Sequence, residues 1–429
     1  MAEPILHRLD NGLRIVAEPM NHVRSLSLGV WVMAGSRHEP RGLEGAAHLW
    51  EHMAFKGTST RSALDIAMSL DRLGGLSNAF TGREETCFHA RVVDHGQTEA
   101  FDVLADLVRN PRLDPAELDL EKGVVLQELA MVEESPEEAA FEAFWADMWS
   151  GSPLSHSILG TEESVSGISR EDLLRWGKRK YAPDRIIVSA AGSVDTEGLV
   201  RAAEHFFGDL PRGEEPPTPQ VPEYTPTFSS RERDTEQSHV LIATPGVSMR
   251  DDRRYAFACL SALLGGQMSS RLFQEIRERR GLAYSVYSSS STLSDCGALQ
   301  IYAAGKPKRT GELIEVLRDE LAAVANGAVT REELARAREH LQGLLLLGAE
   351  STEERMLRLA KNVFFHGRHV DFEESARRIG EVSLNEVRQA AAESLRQGRM
   401  SLSLTAPRID PDWLEPFRPS EAAKEASHA

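Results

Sequence analysis

Cysteine is scarce in this chain: Cys87, Cys259 and Cys296 lie far apart and are odd in number. They can build neither a disulfide framework nor a CxxC metal pair, so partly buried thiols in a reducing compartment are expected. Long apolar runs are lacking too. The longest aliphatic run, 344–347, falls far short of the ~20 residues that a membrane-spanning helix requires. The first residues, Met1-Ala2-Glu3-Pro4-Ile5-Leu6, carry neither a basic n-region nor an apolar h-region, and they are not an Arg-rich leader. A cytoplasmic location in a prokaryote, with no membrane partner, is therefore expected. Positive charge is also in deficit. Lys and Arg number 49 against 66 Asp and Glu, a net charge of −17 that argues against a nucleic-acid partner, which demands a basic face. The same balance gives a mild preference for basic peptides.

What is present is a globular composition, 41% hydrophobic and 27% charged, in a chain of 429 residues that is long enough for more than one core. A Pro-rich polar stretch beginning Pro211-Arg212-Gly213-Glu214-Glu215-Pro216-Pro217-Thr218-Pro219 cannot pack as helix or central strand, and it cuts the chain nearly in half. We expect a first domain at 1–212, a linker at 213–226, a second domain at 227–410 and a polar tail at 411–429.

The two halves read as divergent copies. Leu113-Asp114-Pro115-Ala116-Glu117-Leu118 and Ser135-Pro136-Glu137-Glu138 recur as Val329-Thr330-Arg331-Glu332-Glu333-Leu334 and Ser351-Thr352-Glu353-Glu354, at a constant offset of 216. Both Ser-x-x-Glu segments predict helix starts closed by capping boxes. Amphipathic helices are predicted upstream at 98–109 and 311–324, preceded by strands at 86–93 and 297–303. The expected fold is α+β: two homologous domains, each an antiparallel sheet with helices packed on one face. A repeat of this length means duplicated domains, since solenoid units run only about 20–50 residues.

The chemistry-bearing pattern is His48-Leu49-Trp50-Glu51-His52. On a helix, histidines four apart lie on one face about a turn apart, and there they can hold two positions of one zinc ion. Glu51 lies between them and can act as general base on a zinc-bound water. Ala46-Ala47 before the motif and Met53-Ala54-Phe55 after it support a helix that Gly57-Thr58 ends. A helical stretch between Ala116 and Met131 places Glu121 and Glu128 on one face, two turns apart, beside Val125. Carboxylates on a partly buried face are unusual unless paired or coordinated. Spacing alone leaves the choice between them open, with a solvated acidic stripe as the alternative.

The segment Gly45-Ala46-Ala47-His48-Leu49-Trp50-Glu51-His52-Met53-Ala54-Phe55-Lys56-Gly57-Thr58 resembles the signature of the pitrilysin/insulinase superfamily of inverted-motif zinc peptidases, and within it the mitochondrial-processing-peptidase-like branch. In that family the third ligand is a glutamate 76 residues after the second histidine, which falls on Glu128 here. Glu121 matches the auxiliary glutamate that orients a ligand histidine. Further along, Leu9-Asp10-Asn11-Gly12-Leu13 resembles the start of the first strand, and Tyr181-Ala182-Pro183 the end of the first domain.

Gly74-Gly75-Leu76-Ser77-Asn78-Ala79-Phe80-Thr81 resembles the active-site edge strand. This implies that Asn78, Ala79 and Phe80 receive an extended peptide by strand addition. Ser270-Arg271-Leu272-Phe273-Gln274-Glu275-Ile276-Arg277 through Tyr284 resembles the Arg/Tyr segment, implying that Arg277 and Tyr284 bind substrate and help stabilise the oxyanion. The offset maps Glu128 onto Leu344 and no second H-x-x-E-H follows, so one zinc per chain is expected. The resemblance implies a zinc endopeptidase acting on unstructured peptides in a closable chamber formed by two chains. A homodimer is expected, in which Arg277 and Tyr284 of one copy complete the other's site. The other readings are a non-catalytic scaffold or binding subunit, and a catalytic subunit that needs a metal-less heteromeric partner.

Overall fold

The structure, a computed structural model, describes residues 4–213, 221–396 and 398–417. The first sheet comprises β1 (Ile5–Arg8), β2 (Arg14–Pro19), β3 (Ser25–Val32), β4 (Leu76–Thr81), β5 (Thr86–Val93) and β6 (Ile186–Gly192), in the order β1-β2-β6-β3-β5-β4. The second comprises β7 (Phe228–Glu232), β8 (Ser238–Pro245), β9 (Ala283–Thr292), β10 (Gly297–Gly305) and β11 (Ser401–Ala406), in the order β7-β11-β8-β10-β9. The predicted helices at 98–109 and 311–324 form as Gln97–Arg109 and Thr310–Ala325. The offset of 216 holds in the structure. Helices Pro115–Glu134 and Pro136–Met148 are matched by Arg331–Gly348 and Thr352–His366.

The α+β class in two related domains stands, but each sheet departs from the expectation in two details. Neither sheet is purely antiparallel, because β2 pairs β6 in parallel and β7 pairs β11 in parallel. Nor are the helices confined to one face. In the first unit, Leu26, Leu28 and Val30 pack into the core shared with helix Gln97–Arg109, while Val16, Trp31 and Ile187 on the opposite face meet Met356, Leu359, Ala360 and Val363. The last four form an i, i+3, i+4, i+7 stripe on helix Thr352–His366. In the second unit, Phe144, Trp145 and Met148 of helix Pro136–Met148 cover Leu241, Ala243 and Tyr302 in the same way. A sheet that is apolar on both faces buries each only under a second layer.

The compact units therefore differ from the contiguous domains expected. One unit holds the described residues of 1–131, 156–219 and 347–370, and the other those of 132–155, 220–346 and 371–429. Equivalent helices are exchanged between the halves of the chain, each covering the sheet built by the other half. Of the expected linker, 214–220 lies outside the described residues, as does the tail beyond 417. The expected capping boxes form by half. Ser135 Oγ accepts the Glu138 N–H at 3.4 Å and Ser351 Oγ accepts that of Glu354 at 3.3 Å, with no return bond from either glutamate seen. Cys87, Cys259 and Cys296 are buried and not joined in disulfides. No helix among the described residues is long and apolar enough to cross a membrane.

Candidate metal centre

The motif lies on helix Ala46–Ala54. One face of this helix, Ala46, Ala47, Leu49, Trp50, Met53 and Ala54, is buried, which leaves His48, Glu51 and His52 on the other. Burying Leu49, Trp50 and Met53 contributes about 1.5–3 kcal/mol each and fixes the helix's rotation. Trp50 packs where Gly177 leaves room; a Cβ at Gly177 would lie 2.1 Å from the indole. The helix start is held from outside. Gly45, at φ +92°, makes the turn, and the buried Glu39 carboxylate accepts the Gly45 N–H at 2.9 Å and the Ala47 N–H at 2.7 Å. Such donors at a helix N-terminus favour the ionised carboxylate, whereas burial pushes the Glu39 carboxyl up to about 8.

Helix Pro115–Glu134 supplies the glutamates. His48 Nε2 lies 3.6 Å and His52 Nε2 3.8 Å from Glu128 Oε2, and the ligand atoms of these three residues lie within 4.8 Å of one another. Tetrahedral zinc with bonds of ~2.0–2.1 Å separates its ligands by about 3.3 Å. The trio is thus too far apart to be hydrogen bonded and within a small inward adjustment of a metal's ligand set. His52 Nδ1 meets Glu121 Oε2 at 3.0 Å, and the other Glu121 oxygen meets Lys56 Nζ at 2.6 Å. Carboxylate contact at Nδ1 turns Nε2 toward a metal and makes it a better donor. His48 has no such support, since its buried Nδ1 makes no hydrogen bond among the described residues. Desolvation, with His52 nearby, lowers the His48 imidazole to about 4 and keeps it in the neutral form that ligates. These residues fit a zinc ion.

Glu51 stands beside the trio. Burial raises its carboxyl above the ordinary range, against a hydrogen bond from Thr81 and the charge of His52. Thr81 Oγ1 donates to Glu51 Oε2 at 2.6 Å. Thr81 ends β4, which is an edge strand. Asn78 is exposed on it, and Ala79 and Phe80 are half-buried. Spacing identified His48, Glu51 and His52. Thr81 escaped it because it meets Glu51 across 30 residues, although it directly follows the Asn78-Ala79-Phe80 run, and Glu39 because no spacing rule marks a carboxylate that holds a helix start from six and eight residues before it.

Arg277 and Tyr284 lie in the second unit and are brought together there. Arg277 sits in a π-helical turn, Phe273–Arg279, with its guanidinium 4.8 Å from the Phe273 ring centroid and 4.7 Å from that of Tyr284. Such turns recur at functional sites. Tyr284 is 73% exposed at the start of β9, the edge of the second sheet.

Residues 14–162 match the family described as Insulinase (Peptidase family M16), and residues 167–341 match the Peptidase M16 inactive domain. A Mycobacterium tuberculosis protein named as an uncharacterized zinc protease is 41% identical over 406 residues, covering 93% of this chain and 92% of its own. A Bacillus subtilis protein named as the uncharacterized zinc protease YmxG is 37% identical over 397 residues, covering 92% and 97%. Among solved structures, a protease from Helicobacter pylori superposes with a TM-score of 0.87 at 20% identity, over 94% of this chain and 99% of that one. A Pseudomonas fluorescens structure described as a peptidase M16 inactive domain gives 0.89 at 19%, over 95% and 99%. At those identities the structures speak for the fold alone. The sequence relatives are close enough to decide the family: the chain belongs to peptidase family M16, the insulinase family.

Proposed function

We propose that the protein is a zinc metalloendopeptidase that hydrolyses extended, unstructured peptides, of the processing-peptidase type. The observation that carries this is the convergence of His48, His52 and Glu128 beside the half-buried carboxylate of Glu51. The relatives' names as zinc proteases support the metal. A zinc ion held by the trio would lower the pKa of water to about 7 and polarise the scissile carbonyl. Glu51 takes the proton at its free oxygen and delivers it to the departing amide nitrogen. Glu121 keeps the His52 ring aligned. The free edge of β4 pairs with substrate backbone. Asn78 Oδ1 accepts the Ala79 N–H at 2.9 Å, and an incoming carbonyl would compete for that donor. Main-chain pairing selects extended segments and leaves side-chain preference loose.

The single ligand trio among the described residues supports one zinc per chain. We assign Arg277 and Tyr284 to the substrate, as hydrogen-bond donors to the developing oxyanion from a second copy of the chain. A homodimer enclosing the peptide in a chamber and a cytoplasmic site of action complete the reading.

The test is hydrolysis of a quenched fluorescent, basic, unstructured peptide before and after chelation, with zinc restored. Loss on chelation and recovery with zinc are expected, with a folded protein of similar composition left uncut. Turnover indifferent to the chelator would refute the reading.

A further inference from the structure

The hydroxyl of Thr81 links two features that the proposed reaction uses separately, the base and the edge strand. The Glu51 side chain reaches from its helix to the last residue of β4, and the Thr81 Oγ1–Glu51 Oε2 bond of 2.6 Å has the length of a hydroxyl donating to a carboxylate. The direction of that bond is set by a neighbour. Thr86 faces Thr81 in the β4–β5 register and is buried. Its own Oγ1 donates to the Ala34 carbonyl at 3.0 Å, so its proton is committed elsewhere. The two hydroxyls stand 3.5 Å apart, and the Thr81 proton is left for Glu51.

Only one carboxylate oxygen is held in this way. Glu51 Oε1 makes no hydrogen bond among the described residues, so it is the atom free to receive a proton. A glutamate in a helix has several accessible rotamers, and fixing one removes entropy that would otherwise oppose the reactive geometry. The anchor is itself firm. Phe80, next to Thr81, packs its ring edge-on against Trp31 with centroids 5.5 Å apart, and Trp31 is fully buried. The other end of β4 is open, with Leu76 75% exposed and Ser77 and Asn78 exposed.

We propose that Thr81 is the positioning residue of the general base: it holds Glu51 in the reactive rotamer. This rests on the peptidase reading above.

The experiment compares the zinc-loaded wild type with Thr81→Val, which keeps the shape but deletes the donor, and with Thr81→Ser, which restores it. In Thr81→Val, kcat on the unstructured peptide should fall about tenfold or more, with KM and zinc per chain unchanged. Thr81→Ser should recover most of the loss. In crystals of the metal-free Thr81→Val protein the Glu51 side chain should occupy more than one rotamer, and in Thr81→Ser a single one. A Thr81→Val protein with wild-type kcat and one Glu51 rotamer overturns the proposal. So does a loss that serine does not repair, or one that comes with loss of zinc, since both mark a structural role only. If the zinc-loaded wild type cleaves no peptide, the peptidase reading fails, and the metal-free rotamers still decide whether Thr81 positions Glu51.

Discussion

At the scale of single residues, the two glutamates of one helix are divided by their surroundings. Glu121 is buried, with both oxygens engaged by His52 and Lys56. The Glu128 side chain is 39% exposed and faces two imidazole nitrogens. Under the proposed function, the first arrangement orients a ligand and the second is a ligand. Glu121→Gln should lower zinc affinity by about 10–100-fold, whereas Glu128→Gln, which removes a charged donor outright, should lower it further. Competition with a chelating dye reads both, and equal losses would contradict the division. Periodicity placed both residues on one helical face, but seven residues are two turns in any environment. Only Lys56 and the histidines, brought in by the fold, separate their roles.

At the scale of elements, helix Ala46–Ala54 is legible in the sequence because its pattern is local: small residues at its start, one apolar face, histidines four apart. What holds it lies outside the helix. Glu39 reaches it from the preceding turn, in which the Gly35 N–H donates to His38 Nδ1 at 3.1 Å. Desolvation, together with Lys180, Arg37 and Arg185, lowers the His38 imidazole from 6.5 to about 3. The sign follows from linkage. Between those values the unfolded chain takes up a proton that the folded chain excludes, so the stabilisation is complete above pH 6.5 and is lost as the pH falls toward 3. Each pH unit inside that window costs at most about 1.4 kcal/mol from this group. His38→Asn, which keeps an acceptor for Gly35, should flatten the acid-side slope of stability in urea titrations between pH 6.5 and 4.5. An unchanged slope would place the titrating group elsewhere.

At the scale of the whole molecule, duplication was legible and exchange was not. The offset of 216 reproduces two consecutive helix starts in each half. Yet the same amphipathic pattern lets Thr352–His366 cover either sheet, and nothing in it says which. The choice rests on contacts far apart in sequence. Arg355 pairs with Glu18 in the interior, and Ser27 Oγ meets Thr352 Oγ1 at 2.9 Å. The parallel pairing of β2 with β6 is equally non-local. Assembly belongs to this scale as well. A mixed dimer with His48→Ala in one copy and Arg277→Ala in the other should keep one complete site and about half the wild-type turnover. Turnover no higher than in the two single-variant proteins would remove the second copy from the mechanism.

The most direct test of the central claim is to measure bound zinc and peptide turnover together in the wild type and in Glu51→Gln. If His48, His52 and Glu128 hold the metal and Glu51 moves the proton, both proteins will carry one zinc per chain and only the wild type will turn over. A zinc-loaded Glu51→Gln protein that cleaves at the wild-type rate would contradict the account.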